Sequence, residues 1–413
     1  MDGIKNVTAL AAKPTEPLCC LNHSEGHPMT HSHPPVEPTY EDERTIQKLL
    51  VGVIGLLDTF SAEQRAAALY DFDDARRLDW DIIPKPDRVG VSLHQLDRHQ
   101  KVVVLDLVRL TVSEEVYTKI LAIMQLEHVL RAREADFLGV AAPLWRTSDS
   151  YFLTVFGRPG FEDTWSLRFL GHHVCLNITI VNQRWIVTSP SALGQQPVID
   201  AGVLNPLAAD EGLGFDLVGS LNDDQRAVAV VHDVAPADFV SRQVPHIGGL
   251  EYPDHYDLGM PQYQITNTDR KALALFRSEP SGIRADQLDA EQHKVLLTLI
   301  DTYLARFPAS LAADHRAKID ADGDASIHFA WAGSLSRGLP HYFRVQTDSL
   351  LIEMVNAVDS GNHIHSVIRD FDHDFAHPFV RDHEARIAEH GTHLSTRTTS
   401  SEGTELRESD WQW

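Results

Sequence analysis

The chain has 413 residues, of which 43% are hydrophobic and 23% are charged. This composition is typical of a globular protein with one large core or two to three domains. The formal net charge of −23 argues against binding to a phosphate backbone or to an anionic membrane surface. We therefore expect a small-molecule substrate as the partner, and neither nucleic acid nor a membrane.

The cysteines predict a reducing compartment. Cys19 and Cys20 are adjacent in a polar segment, Cys175 lies in an apolar run, and the chain contains no CxxC motif. This spacing predicts neither a disulfide framework nor a thiolate zinc site. The sequence also has no run of 18 apolar residues, and its start lacks the pattern of a signal peptide. We expect a cytoplasmic protein.

The composition changes along the chain and predicts three parts. Residues 1–40 are rich in histidine and proline and are predicted to form a flexible leader. Residues 41–386 are predicted to form a single integrated α+β domain, with two lobes, 41–150 and 151–386, as the alternative. Residues 387–413 are polar and are predicted to form a tail.

The periodicity of apolar residues predicts helices first and strands later. Spacing typical of amphipathic helices is found over 41–60, 61–72, 116–134 and 286–307. Runs typical of strands occupy 166–190, 326–333 and most of 341–370. We find no internal repeat at a fixed period. The pattern predicts a helical N-terminal part packed on a mainly antiparallel sheet that the middle and C-terminal strands form.

Histidine is the residue type that carries the predicted chemistry. The chain has no GxSxG, P-loop, GxGxxG or HExxH motif, so no nucleotide cofactor is expected. His363 and His365 stand at i and i+2 of a predicted strand, where side chains share one face. His341 could supply a third nitrogen, with Glu353 as fourth ligand or general base. These donors suit a divalent zinc, iron or manganese ion.

A second histidine pair lies in the predicted strands of the middle of the chain. In a regular strand, His173 and Asn177 share one face, while His172 faces the apolar side and is structural. Gly171 could instead mark a bulge that alters this alternation. We assign His173 as a proton carrier in the same pocket as the C-terminal histidines.

Charged residues near the C-terminal strands complete the predicted site. Arg344 and Arg369 could bind an anionic substrate group through a bidentate guanidinium fork. Asp370 opens an acidic run in which carboxylates could orient imidazoles or act with them in acid–base catalysis. The same acids could equally form a solvated strand end.

Several blocks, in order, resemble an uncharacterised bacterial and fungal family known as domain of unknown function 3500. They include RLDWDIIP, RVGVSLHQLDRHQ, WSLRFLGHHVCLNITIV, HFAWAG, LPHYFRVQ, LLIEMVNA and NHIHSVIRDFDHDF, and the resemblance covers about residues 46–385. It implies one integrated fold but no particular reaction. Positions within these blocks add Arg168 and Asn177 as substrate-binding candidates. The chain departs from the family pattern at Thr347 and His373, which leaves the candidate ligands intact.

These observations support four hypotheses about function. The first is a metal-dependent enzyme acting on a small anionic carbonyl or carboxylate substrate, with hydrolytic or lyase chemistry slightly favoured. The second is an iron-dependent oxidoreductase. The third is a metal-free enzyme in which histidine and carboxylate do acid–base work. The fourth is a non-catalytic binding protein whose histidines form a buried hydrogen-bonded network.

Overall fold

A computed structural model gives the fold. It describes residues 40–138, 143–199, 204–247 and 266–380. Apart from Tyr40, the predicted leader lies outside the described residues, as does the whole predicted tail. None of the described helices combines the length and the apolar character that crossing a membrane requires.

The helices occur in two groups, one before residue 140 and one between residues 208 and 322. They are α1 (Glu43–Thr59), α2 (Ala62–Ala68), α3 (Arg98–Leu110), α4 (Glu114–Leu138), α5 (Ala208–Ser220), α6 (Asp223–Ala229), α7 (Asn267–Leu273), α8 (Ala290–Leu304) and α9 (Ala309–Asp322). Several of these helices follow a residue whose side chain accepts hydrogen bonds from the first backbone N–H groups. Asp289 before α8 is an example. The second helix is shorter than predicted because the chain enters a strand at Leu69.

The strands form one large sheet. They are β1 (Leu69–Tyr70), β2 (Val91–Ser92), β3 (Tyr151–Phe156), β4 (Trp165–Gly171), β5 (Val174–Val181), β6 (Trp185–Val187), β7 (Ser191–Gln195), β8 (Val230–His232), β9 (Ile283–Arg284), β10 (His328–Gly333), β11 (His341–Gln346), β12 (Leu350–Val358) and β13 (His363–Asp370). The order is β1-β3-β4-β5-β7-β13-β12-β11-β10-β8, with only β1–β3 and β8–β10 parallel. The predicted α+β class with a mainly antiparallel sheet is confirmed.

The two faces of the sheet are covered differently. Helices α1, α3, α4, α5, α8 and α9 pack on one face and form the larger hydrophobic core with side chains from alternate strand positions. The other face is covered largely by irregular segments that carry Trp80, Phe239, Leu275 and Phe375. Because both faces are covered, the central strands are buried along nearly their whole length.

The order and direction of the strands are symmetric about the centre of the sheet. This symmetry was not predicted from the sequence. In each half, a short helix leads into a strand that runs parallel to the first strand of an antiparallel meander. Thus β3, β4, β5 and β7 correspond to β10, β11, β12 and β13. The central pair β7–β13 is antiparallel, as an approximate twofold relation requires. The halves meet between β7 and α5, whereas the two-lobe alternative placed a boundary at residue 150.

Equivalent side chains make equivalent hydrogen bonds in the two halves. Gln64 caps α2 and donates to the carbonyl of Gln95 and to the side chain of Gln100, at 2.6 and 3.0 Å. Gln225 caps α6 and makes the same two bonds to glutamines of its own half, at 2.9 and 2.8 Å. The spacing between equivalent residues differs from pair to pair because the connecting loops differ in length. A search at one fixed period therefore finds no repeat.

Candidate metal centre

Two histidines occupy the tight turn between β4 and β5. Because His172 and His173 lie in a turn rather than in a regular strand, their rings stack on one side with centroids 3.6 Å apart. His173 has a φ of +63°, and its backbone N–H donates to the carbonyl of Ile82 while its own carbonyl accepts from Gly194. The predicted assignment of His172 to the opposite, structural face depended on a regular strand and does not apply.

Three imidazoles converge at the start of β13. The Nε2 atom of His363 lies 2.7 Å from Nε2 of His173 and 3.1 Å from Nε2 of His365. His363 and His365 share one face, as their i and i+2 positions predict, and β7 brings His173 beside them. His173 is 2% exposed and His365 is 9% exposed. The side chain of His363 is 14% exposed, so this ring lies on the solvent side of the cluster.

Carboxylates bind the outer nitrogens of these rings. The Nδ1 atom of His365 lies 2.9 Å from Oδ1 of Asp238, and Nδ1 of His363 lies 3.5 Å from Oδ2 of Asp359. A carboxylate at Nδ1 favours the tautomer that carries the proton there. The Nε2 atoms of these rings therefore direct lone pairs toward the centre of the cluster.

His172 adds a fourth imidazole with the same arrangement. Its Nδ1 atom forms a hydrogen bond with Oε1 of Glu127, a buried residue of α4. Arg146 binds the same carboxylate at 3.1 Å. The Nε2 atom of His172 is buried and has no hydrogen-bond partner among the residues that the structure describes. Ring nitrogens of His172, His173 and His363 all lie within 4.8 Å of one another, which is close enough to hold a metal ion.

Burial favours the neutral form of the imidazoles of His172, His173 and His363. It holds the pKa of His173 well below the usual range, and the neighbouring histidines add to this effect. Burial likewise lowers the pKa of His363 to about 4. It also lowers the pKa of His172, against the opposing effect of Glu127. Burial alone would raise the pKa of Glu127, but its bonds to His172 and Arg146 reverse this and leave it lowered. Neutral rings are the form that binds metal.

His341, a predicted ligand, lies on the other face of the sheet. It pairs in register with Asn356, one strand position away from the row that contains His365. Its ring stacks on Trp331 at 5.4 Å, and its Nε2 atom lies 3.3 Å from Oε1 of Glu211. Neighbouring strand positions face opposite sides of a sheet. The rings of His173 and His365 therefore lie next to that of His363, and His341 does not join them.

Glu353 is on the same sheet face as His365, but hydrogen-bond donors hold its carboxylate. The backbone N–H groups of Val240 and Ser241 donate to it at 2.8 and 3.1 Å, and the hydroxyl of Tyr342 donates at 2.8 Å. These contacts stabilise a buried carboxylate without a metal. They attach the segment that also carries Asp238 to the sheet, so Glu353 positions a partner of His365.

The two predicted substrate arginines bind backbone carbonyls instead. Arg344 donates to the carbonyls of Leu273 and Ala274 at 3.2 and 3.1 Å. Arg369 donates to Asp374 at 2.7 Å and to three carbonyls of residues 242–245. Both guanidinium groups are buried and fix covering segments to the sheet. Neither contributes to the histidine cluster through these contacts.

Asp370 belongs to a separate group of polar residues. It accepts a 2.5 Å hydrogen bond from the hydroxyl of Tyr40 and lies 3.1 Å from Nδ1 of His373. Burial raises the pKa of Asp370, but the bond to His373 and its charge outweigh burial and lower it to about 2. Asp370, Asp372 and His373 are close enough to hold a cation, but Asp372 is paired with Arg277 at 2.5 Å.

Arg168 and Asn177 face each other across β4 and β5. Asn177 donates to the carbonyl of Pro190 at 3.0 Å and to Sγ of Cys175 at 3.4 Å. Burial raises the pKa of Cys175 to about 12, so this thiol is a core residue rather than a nucleophile. Arg168 donates to the carbonyls of Arg76 and Asp79.

The carboxylates that orient the histidines were not predicted from the sequence. Glu127 interrupts the buried stripe of a long helix, and a charged residue at such a position is a usable signal. Asp238 and Asp359 lie in irregular segments, where no periodicity marks them. Only the tertiary structure brings these residues to the imidazoles.

Gly194 provides the space for the ring of His173, and a larger residue should displace that ring. A Cβ atom at Gly194 would lie 2.6 Å from Cδ2 of His173 and 2.8 Å from a backbone oxygen. If the cluster binds a metal ion, Gly194→Ala should weaken the binding of added zinc by at least about tenfold, the lower range for losing the support of a ligand. Zinc titration monitored by isothermal calorimetry measures this effect.

The matched control is Gly219→Ala in α5, where an added Cβ meets nothing within 4 Å. This variant should bind zinc like the wild type. It should also unfold at slightly higher free energy, because alanine favours helix. Unchanged zinc affinity in Gly194→Ala would show that His173 is not a ligand.

The fold and the cluster define a class of protein: an α+β protein with a large pseudo-symmetric sheet and four clustered histidines supported by carboxylates. The chain matches the family described as Protein of unknown function (DUF3500) over residues 42–377 and belongs to it. Neither the curated proteins nor the solved structures contain a match to the chain.

Proposed function

We propose that His173, His363 and His365 bind a divalent metal ion and that the protein is a metal-dependent enzyme of hydrolytic or lyase type. Its substrate is a small carbonyl or carboxylate compound. The observation that carries this proposal is the position of Nε2 of His363, which lies 2.7 Å from Nε2 of His173 and 3.1 Å from Nε2 of His365, with carboxylates on the far side of the rings of His363 and His365.

Protons alone do not satisfy this arrangement. The outer nitrogens of His363 and His365 carry the proton when Asp359 and Asp238 accept from them. Their Nε2 lone pairs then face each other and repel at close range. A proton on Nε2 of one ring donates to only one of its two neighbours. A cation at the centre accepts all three lone pairs at once.

The residues fit a metal ion in number and chemistry. A tetrahedral zinc site with Zn–N bonds of about 2.0–2.1 Å separates its nitrogens by roughly 3.3 Å. The observed separations are slightly shorter, so small ring movements admit the ion. Three histidine ligands leave a fourth position, which is the pattern of catalytic rather than structural sites. A substrate would reach the ion past the side chain of His363, which is only 14% exposed. This narrow access favours a small substrate.

His172 is suited to carry a proton beside the centre. Its Nε2 atom is free to accept, while Glu127 holds Nδ1 and stabilises the imidazolium that protonation produces. A bound metal ion would supply Lewis acidity and lower the pKa of water. We therefore propose His172, rather than His173, as the proton carrier. His172 has a buried carboxylate partner, Glu127.

The donor set narrows the choice of metal. All converging atoms are imidazole nitrogens, which suit zinc and iron better than manganese. An iron oxidoreductase with two histidines and one carboxylate would need a carboxylate among the ligands. Asp238 and Asp359 bind the outer nitrogens instead. This arrangement favours zinc and hydrolytic or lyase chemistry.

Elemental analysis combined with a turnover screen tests the proposal. The protein is the full chain with four leader histidines changed to glutamine, because these could scavenge metal: His23, His27, His31 and His33. We expect about one equivalent of zinc and hydrolysis of a small ester, lactone or amide. Chelation should abolish turnover and zinc should restore it.

Other outcomes contradict part or all of this proposal. Iron accompanied by oxygen consumption would favour the oxidoreductase. Turnover that persists in metal-free protein would favour acid–base catalysis by His172 and Glu127. A protein that takes up none of the three metals and shows no turnover would indicate a structural histidine network.

A further inference from the structure

A chain of hydrogen bonds crosses the sheet beside the histidine cluster. The backbone N–H of His363 donates to Oδ1 of Asn356 in β12 at 2.9 Å. The side-chain amide of Asn356 donates in turn to Oε1 of Glu211 in α5 at 2.8 Å. Glu211 lies on the helical face of the sheet, whereas the ring of His363 lies on the other face with the cluster. The chain therefore joins the two faces at the start of β13.

An irregularity in the pairing of β12 with β13 accompanies this contact. Asn356 pairs with Ile364, but His363 pairs with Val358 rather than with Ala357. One extra residue on one strand is the pattern of a β-bulge, which changes the local direction of the backbone. At this point the side-chain oxygen of Asn356 accepts from His363. The side chain of Asn356 therefore helps to fix the position of the His363 backbone.

Glu211 fixes the orientation of the Asn356 amide. Asn356 is fully buried, so its two polar atoms depend on partners within the protein. An amide has its acceptor on one atom and its donors on the other. The N–H of His363 requires the oxygen, and the carboxylate of Glu211 requires the nitrogen. Without Glu211, the amide could turn its nitrogen toward His363 and repel that N–H group.

The surroundings of Glu211 keep its carboxylate ionised. Burial raises the pKa of Glu211, but its contacts with His341 and Asn356 outweigh burial and lower the pKa. Oε1 of Glu211 lies 3.3 Å from Nε2 of His341, and the Glu211 side chain is 15% exposed. An ionised carboxylate accepts stronger hydrogen bonds than a neutral group does. Glu211 is therefore a firm anchor for Asn356.

We propose that Glu211 acts through Asn356 to position His363, so that the helical face of the sheet regulates the metal affinity of the histidine cluster. This role rests on the proposed metal centre, in which His363 is a ligand. Glu211 and Asn356 are positioning residues, because they act on the backbone of His363 rather than on the ion.

Zinc titration by calorimetry tests this role. The protein is the full chain with the four leader histidines changed to glutamine, after removal of bound metal with a chelator. Glu211→Ala removes the acceptor of the Asn356 amide and should weaken zinc binding by about 3- to 30-fold, the range for residues that couple to a site through a network. Glu211→Gln keeps an oxygen for Asn356 and should bind zinc like the wild type.

Asp216→Ala is the matched control for Glu211→Ala. Asp216 is another acid of α5, but it pairs with Arg337 at the surface at 2.9 Å. Asp216→Ala removes the same charge from the same helix and should leave zinc affinity unchanged. An equal loss of affinity in Asp216→Ala and Glu211→Ala would identify a general effect of charge and would refute the role of Asn356.

Asn356→Ala removes both hydrogen bonds and should weaken zinc binding at least as much as Glu211→Ala. Gln346→Ala is its control, since Gln346 is a buried amide of β11 that donates to the carbonyl of Phe276 at 2.9 Å. Both variants should unfold at lower free energy than the wild type. Only Asn356→Ala should lose zinc affinity, which separates positioning of His363 from general destabilisation.

The outcomes distinguish this role from the metal centre itself. A wild type that binds no zinc would refute the metal centre, and the role of Glu211 with it. A wild type that binds zinc, together with unchanged affinity in Glu211→Ala, would refute only the role of Glu211. Equal losses in Glu211→Gln and Glu211→Ala would also refute it, because the glutamine retains the oxygen that holds Asn356.

Discussion

The double variant His363→Ala/His365→Ala is expected to contain less than about a tenth of the metal of the wild type. It lacks His363, whose Nε2 atom lies 2.7 Å from that of His173 and 3.1 Å from that of His365, and it lacks His365 as well. The remaining His173 is a single neutral imidazole, which does not retain a divalent ion through purification. Elemental analysis of both proteins, with the leader histidines replaced, measures the difference.

The matched control replaces two histidines outside the cluster. His293 contacts Asp324 on the surface, and His328 contacts a backbone carbonyl. His293→Ala/His328→Ala has the same number of histidines as the site variant and should keep its metal. Circular dichroism shows that both variants are folded. Full metal content in a folded site variant would place the ion elsewhere.

Arg369→Met is expected to lower the free energy of unfolding by about 3–5 kcal/mol, the range for removing one partner of a buried ion pair. Arg369 is fully buried and donates to Asp374 at 2.7 Å. The substitution leaves this carboxylate buried without its cation. Urea unfolding of the two proteins at pH 7 measures the loss.

The destabilisation should depend on pH. Burial already raises the pKa of Asp374 to about 6, although Arg369 opposes this effect. Without the arginine, the folded-state pKa rises further above its value near 3.9 in the unfolded chain. The folded state then binds more protons than the unfolded state, so stability falls as the pH rises through 6. The difference in the free energy of unfolding between Arg369→Met and the wild type should be smaller at pH 5 than at pH 8.

Arg277→Met is the control, because Arg277 pairs with Asp372 at the surface, with both side chains at least 40% exposed. This pair should contribute less than about 1 kcal/mol. Comparing Arg369→Met with this control distinguishes a structural role of Arg369 from its predicted role in substrate binding. If Arg369→Met unfolds like the wild type but loses substrate binding, Arg369 is the substrate residue that the sequence analysis predicted.

The sequence by itself determined the fold class and part of the site. Periodicity separates helices from strands, and the i and i+2 spacing places His363 and His365 on one face whatever the topology. The resemblance to the family is carried by local words such as WSLRFLGHHVCLNITIV and is confirmed over residues 42–377. These are properties of neighbouring residues, which the sequence alone can specify.

The tertiary structure decided which distant residues meet. His341 and Glu353 lie on the paired strands β11 and β12. The pleat and the register nevertheless place His341 on the opposite face from His365. His173 joins the cluster because β7 pairs with both β5 and β13. The carboxylates of Glu127, Asp238 and Asp359 come from a helix and two loops. Strand order and loop path depend on packing across the whole core, which no local pattern in the sequence encodes.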